Sequence, residues 1–157
     1  MNNYRNMILT LLITFLFCNP LATSFAQKKS NNSKLVYVPV YSSIYHGDQV
    51  REFDLAITLT VRNINSNKSI TVYSIDYYGN SGNLIRNYLN KPKILKPYET
   101  ANIVVKESDT HGGSSASFLI KWDADRNVND LFVEAVMIGT QQQQGISFTS
   151  RGIPVKK

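Results

Sequence analysis

Cysteine is close to absent: Cys18 is the single thiol in a chain of 157 residues. It closes the one long apolar run, Met7–Cys18 (MILTLLITFLFC). That run is about a dozen residues, against the roughly 20 that a membrane-crossing helix needs. Arg5 precedes it, and the small-residue site Ser24-Phe25-Ala26 follows. This is the order of a secretory signal peptide spanning residues 1–26. The alternative, a lipoprotein anchored at Cys18, meets Phe17 where such a site wants Gly or Ala. Cleavage after Ala26 leaves Gln27–Lys157 without any cysteine, which excludes disulfides and thiol chemistry. The expected location is periplasmic or secreted, with no transmembrane span after cleavage.

Charge of one sign is also scarce on the body of the chain. The formal net charge is +6, but Arg5, Lys28, Lys29, Lys34, Lys156 and Lys157 stand at the two ends. Between Leu35 and Pro154 the remaining Lys and Arg equal the Asp and Glu, eleven of each. A nucleic-acid binder needs a basic face on the folded body, so nucleic acid is excluded as a partner. The basic ends read as solvated tails that could brush an anionic surface.

Helical periodicity is missing. The best candidate, Asp125–Asp130, is too short to matter. What recurs instead is alternation with a period of two. Val36, Val38 and Val40 point one way while Tyr37 and Tyr41 point the other. Phe53, Leu55, Ile57, Leu59 and Val61 form the clearest such set. Further strands are read over Ser69–Tyr78, Leu84–Leu89, Thr100–Lys106, Ala116–Trp122, Leu131–Ile138 and Ile146–Ser150. Turn clusters separate them at Asn63–Lys68, Gly79–Asn83, Glu107–Ser115 and Gln141–Gln144. Pro39 suggests that its strand is an edge. The expectation is an all-β, single antiparallel β-sandwich of immunoglobulin-like type with seven or eight strands, over residues 35–154. Residues 27–34 would be a flexible polar leader and residues 155–157 a basic tail.

Several stretches taken together resemble an exported bacterial family, domain-of-unknown-function family 3124. They are VYVPVYSSIYHGD (Val36–Asp48), REFDLAITLTVRN (Arg51–Asn63), SIDYYGNSGNLI (Ser74–Ile85), ESDTHGGSSASFLIKW (Glu107–Trp122) and EAVMIGTQQQQGISFTSRG (Glu134–Gly152). The resemblance carries no established activity and hence no functional residues. A fainter similarity, around Leu95–Thr100, is to bacterial immunoglobulin-like modules. It implies a binding or scaffold role by fold analogy alone.

Catalytic signatures are lacking as well. No GxSxG elbow is present, no GK[ST] follows Gly112-Gly113, and no HxH or HxxxH spacing exists. Ser108, Ser114 and Ser115 stand near His111 and Asp109, but triads form by geometry rather than by sequence adjacency. Asp123 and Asp125 beside Trp122 read as strand-end acids. His46, Asp48, Asp109 and His111 could ligate zinc or copper if their loops met; otherwise they are separate loop residues. Gly112 and Gly113 form either an anion-binding nest or a tight turn. Tyr37, Tyr41 and Tyr45, with that Gly-Gly loop, are the candidate contact surface. The leading expectation is a non-catalytic binding module of the cell envelope, without a cofactor, whose partner is an envelope protein or a small ligand. A metal- or small-ligand-binding protein is the alternative, and an enzyme of unrecognised type stands behind both. Oligomeric state stays open.

Overall fold

The computed structural model describes residues 33–48, 50–125, 127–140 and 145–156. Residues 1–26, read above as a signal peptide, the expected leader up to Asn32 and Gln141–Gln144 lie outside them. Alternation of apolar and polar side chains produces strands throughout: β1 (Lys34–Val40), β2 (Ser43–His46), β3 (Arg51–Asp54), β4 (Ala56–Arg62), β5 (Ile70–Tyr78), β6 (Leu84–Asn87), β7 (Lys93–Leu95), β8 (Thr100–Val105), β9 (Ala116–Asp123), β10 (Phe132–Gly139), β11 (Ile146–Arg151) and β12 (Ile153–Val155). A 3-10 segment, Thr110–Ser115, precedes β9.

All pairings are antiparallel. The six-stranded sheet runs β12-β1-β9-β5-β6, with β7 also on β5. The four-stranded sheet runs β11-β10-β4-β8, and β2-β3 is a separate hairpin. The buried faces of both larger sheets contribute to one core, in which Trp122, Tyr77, Phe53 and Phe118 are the largest fully buried side chains. Each such side chain contributes about 1.5–3 kcal/mol through removal from water.

The expected inward sets are buried: Val36, Val38 and Val40; Phe53 through Val61; Phe118, Ile120 and Trp122; Val133, Ala135 and Met137. Among the described residues the strands number twelve, in three sheets, rather than the expected seven or eight. The long strand read through Phe53 breaks at Leu55. Its N–H donates to the Ser42 carbonyl at 2.9 Å, so β3 stays in the hairpin while β4 joins the four-stranded sheet. The chain also does not stop at β11. Gly152 donates to the Val133 carbonyl at 2.9 Å and carries the chain across to β12. A Cβ at Gly152 would lie 2.6 Å from Val36 Cγ1 and 3.1 Å from Val133 Cβ, so only glycine passes between the sheets there. Pro39 does not mark an edge strand, because β1 is flanked by β9 and β12. The β12 pairing stops at Tyr37↔Ile153, so Pro39 lies beyond it and its missing donor breaks no bond on that side.

The inward alternation of β4 continues past its end in another chemistry. Val61, Asn63 and Asn65 are buried while Arg62 and Ile64 are exposed. Asn63 Nδ2 donates to the carbonyls of Lys68 (2.8 Å), Leu95 (3.0 Å) and Lys96 (3.0 Å). Its Oδ1 accepts from the Asn65 N–H and Nδ2, both at 2.9 Å. Asn65 in turn bonds the Asn129 backbone in both directions. One side chain thus ties the end of β4 to the start of β5 and to β7. Replacing it with alanine strands buried carbonyls, each costing about 1–3 kcal/mol. Asn63→Ala is expected to lose about 2–4 kcal/mol in urea unfolding, whereas exposed Asn67→Ala loses less than about 0.5 kcal/mol. Equal losses for the two would remove the hub.

Candidate functional site

Of the sequence candidates, Asp109, His111, Gly112 and Gly113 lie together where the β5–β6 turn, the 3-10 segment and the corner after β1 meet. Tyr77 ends its inward alternation here, stacked on Phe118 at 4.8 Å. Its hydroxyl is buried and has no hydrogen-bond partner among the described residues. Ser42 Oγ stands beside it but donates to the Gly113 carbonyl at 3.1 Å. Burial therefore pushes the Tyr77 phenol above its ordinary pKa, with Ser42 offsetting part of the effect. A Cβ at Gly112 would lie 1.9 Å from the Tyr77 oxygen and 2.8 Å from Ala116 Cβ, so Gly112 exists to admit the phenol. Gly113 has φ +70° against the Asn80 amide. Asn80 Oδ1 accepts from Ser115 N–H at 2.7 Å, and Asn80 N–H donates to the Gly112 carbonyl at 3.2 Å. The Gly-Gly loop is a turn packed onto the fold, with Gly112 buried and Gly113 half-buried.

On the rim, Asp109 bridges His111 and Arg86. His111 Nδ1 lies 2.8 Å from Oδ1, and Arg86 Nη1 lies 3.3 Å from Oδ2. The His111 side-chain hydrogen bond is the main cause that holds the Asp109 carboxyl below its usual range. Burial opposes it, while the His111 backbone bond and the Arg86 charge add to it. An ionised carboxylate only accepts, so the imidazole carries its proton on Nδ1 and presents Nε2 from a side chain 78% exposed. Arg86 also donates to the Tyr88 hydroxyl at 3.2 Å. Such a pair can orient an imidazole as a base, but none of Ser108, Ser114 and Ser115 is hydrogen-bonded to it among the described contacts.

The four metal candidates do not close into one centre. Among the described residues no three of His, Cys, Asp and Glu gather to hold an ion. β2 packs against the 3-10 segment, yet His46 sits edge-on to Phe53 at 6.0 Å. Together with Asp48 it lines an open concavity of about 320 Å³ that Arg51 shares, and a guanidinium opposes a cation there. The tyrosines diverge: Tyr37 is exposed on the six-stranded sheet, Tyr45 is exposed on the hairpin, and Tyr41 is half-buried against Phe148 at 5.8 Å. Tyr77, Asn80, Arg86 and Tyr88 were not among the candidates read from the sequence. Only the inward phase of Tyr77 within β5 signalled any of them.

Strand register assembles a second surface. Cross-strand partners share a face. Ile153, Tyr37, Leu119 and Asp76 form one outward row; Val155, Leu35, Lys121 and Ser74 form the next; Pro39, Ser117, Tyr78 and Leu84 form a third. An apolar stripe thus crosses the outer face of the six-stranded sheet. Ile153 is 59% exposed, Leu84 54%, Val155 40% and Tyr37 37%.

A family model described as "Protein of unknown function (DUF3124)" matches residues 33–155. The chain belongs to the DUF3124 family. No curated protein matches it. A solved structure from Thermotoga maritima, titled Thermotoga maritima 1070, is similar in fold at 7% identity. It covers 78% of this chain and 95% of that one, with a TM-score of 0.50. At that identity the likeness concerns fold alone. Among the described residues no helix is long and apolar enough to cross a membrane.

Two measurements probe the loop junction of this DUF3124 domain. Gly112→Ala overpacks the phenol and is expected to cost about 1–3 kcal/mol. Tyr77→Phe, which removes an unpartnered hydroxyl, is expected to be neutral or stabilising by about 1 kcal/mol and to recover part of the Gly112→Ala loss in the double variant. A Tyr77→Phe loss above about 1 kcal/mol would mean that the hydroxyl is bonded after all. The second is acid sensitivity. Because the folded pKa of Asp109 lies below its unfolded value of about 3.9, its contribution is present above that value and is lost as pH falls through the folded pKa. Unfolding midpoints from about pH 5 to pH 2 should therefore fall less steeply for Asp109→Asn than for the parent chain. Parallel curves would contradict this.

Proposed function

We propose that this chain is an exported, non-catalytic binding module of the cell envelope, a β-sandwich of immunoglobulin type that engages its partner through the outer face of the six-stranded sheet. The apolar stripe from Ile153 and Val155 through Tyr37 and Leu119 toward Leu84 carries the reading. Isolated exposed apolar residues are ordinary, whereas a contiguous patch rimmed by polar groups marks a contact surface. Residues 1–26, read as a signal peptide, support export. The absence of catalytic motifs in the sequence supports a binding role.

The test places a photoreactive residue at Ile153 and, as the control, at Val104. Both are 59% exposed, but Val104 faces outward from the four-stranded sheet. In cells that make the full chain, illumination is expected to give discrete adducts, to protein or lipid, from position 153 and few from position 104. Equal labelling from both, or none from either, would overturn the reading.

A further inference from the structure

We propose that the stripe binds a second copy of this chain, face to face across a two-fold axis, with Lys121 of each copy meeting Asp76 of the other. The inference rests on the binding face proposed above and names its partner.

The first observation is a pair of opposite charges set into the apolar face. Lys121 stands in the row of Val155, Leu35 and Ser74, and Asp76 in the neighbouring row of Ile153, Tyr37 and Leu119. The two lie on adjacent strands, diagonal to one another. Lys121 is exposed and Asp76 half-buried. Among the described residues neither belongs to an ion pair. The Asp76 carboxylate is nevertheless fixed in place, because Ser74 Oγ donates to Oδ2 at 2.8 Å and Asn87 Nδ2 to Oδ1 at 2.7 Å. An ionised carboxylate offers about four acceptor sites, so room for an ammonium remains. One further carboxylate on this face, Asp123, stands a row beyond Lys121 and accepts from the Ala124 N–H at 2.8 Å. The rows of the stripe thus hold one cation and one anion, each without a partner charge.

The second observation is that such an arrangement is its own complement. A two-fold interface is isologous: where one residue of the first copy meets another of the second, the reverse contact forms as well. Strand and residue spacings in a sheet are fixed. An axis lying in the interface and bisecting the line from Lys121 to Asp76 therefore sets each lysine against the other copy's aspartate. The same axis passes close to Leu119 and Tyr37, so each of these meets its own counterpart and the apolar rows cover one another. An acidic partner would answer Lys121 and repel Asp76, and a basic partner the reverse. Growth through the edge of the sheet is a poorer route, since β12 has three residues with Pro154 in the middle, and proline gives a ladder no donor.

The experiment takes Gln27–Lys157, which contains every described strand and the whole core, and follows its mass by sedimentation velocity at micromolar concentrations. A concentration-dependent dimer is expected. Tyr37→Asp, which sets two carboxylates near the axis, should weaken it by at least about tenfold. Lys121→Glu and Asp76→Lys should each stay monomeric where the parent chain dimerises, because each opposes like charges twice. Mixed in equal amounts, these two variants should recover the dimer, since each supplies the charge that the other has lost. Thermal midpoints confirm that each variant folds. A parent chain that stays monomeric would overturn the proposal. So would a dimer that Tyr37→Asp leaves intact, or a mixture that recovers nothing, because association would then use another surface or another register. In the crosslinking test above, the copy assignment predicts adducts from position 153 at twice the mass of the chain. If the parent is monomeric while position 153 still gives discrete adducts to something else, the binding face stands and the copy assignment falls. If both fail, the binding face falls too.

Discussion

The fold turns on a polar contact at the point where the chain changes sheets. β4 belongs to the four-stranded sheet and β5 to the six-stranded one, so the link between them must leave one hydrogen-bonded ladder before it enters the other. Backbone carbonyls at such a crossing have no strand partner, and burying them bare would be costly. Asn63 supplies what the ladders cannot. Its amide takes the carbonyls of Lys68, Leu95 and Lys96, and its oxygen holds Asn65. Asn65 then reaches Asn129 just ahead of β10. A side chain with donors and an acceptor on one planar group suits this task, and an aliphatic residue in the same inward position would take its bonds away from the three carbonyls and from the Asn65 N–H.

The period of two was enough to read which residues face inward, because burial on a sheet depends only on alternation. Sheet membership was not readable in the same way. Phe53 and Leu55 share a phase with Ile57 and Leu59, so nothing in the pattern marks Leu55 as the residue where one strand becomes two. That break depends on the Ser42 carbonyl, supplied from elsewhere in the chain. Asn63 and Asn65 hid for the opposite reason. They continue the alternation of β4 faithfully, but asparagine beside lysine and serine carries the composition of a turn. β7 and β12 are three residues each, too short for periodicity to register, and prolines at 92, 97 and 154 disguise them further.

The candidate site was legible as a place and illegible as an arrangement. The polar, Gly-containing stretch around His111 does become a distinct corner. Its chemistry is set by partners distant in sequence: Arg86 for Asp109, Tyr77 for Gly112, and Asn80 for Gly113 and Ser115. Adjacent glycines suggested an anion nest, yet one is consumed by the volume of a phenol and the other by a backbone turn. The same loop that looked open for ligands is therefore a clamp holding the end of the six-stranded sheet. What stays at the surface is the Asp109–His111 pair, an oriented imidazole without a nucleophile hydrogen-bonded to it.

The proposed binding face depends less on any loop than on how β12 is joined to β1. Pairing β12 with β1 extends the outward apolar rows of β1 by Ile153 and Val155. Gly152 makes that pairing possible by threading between Val36 and Val133. A residue chosen for the space it leaves empty thereby sets Ile153 and Val155 beside Tyr37 and Leu35 on one outer face.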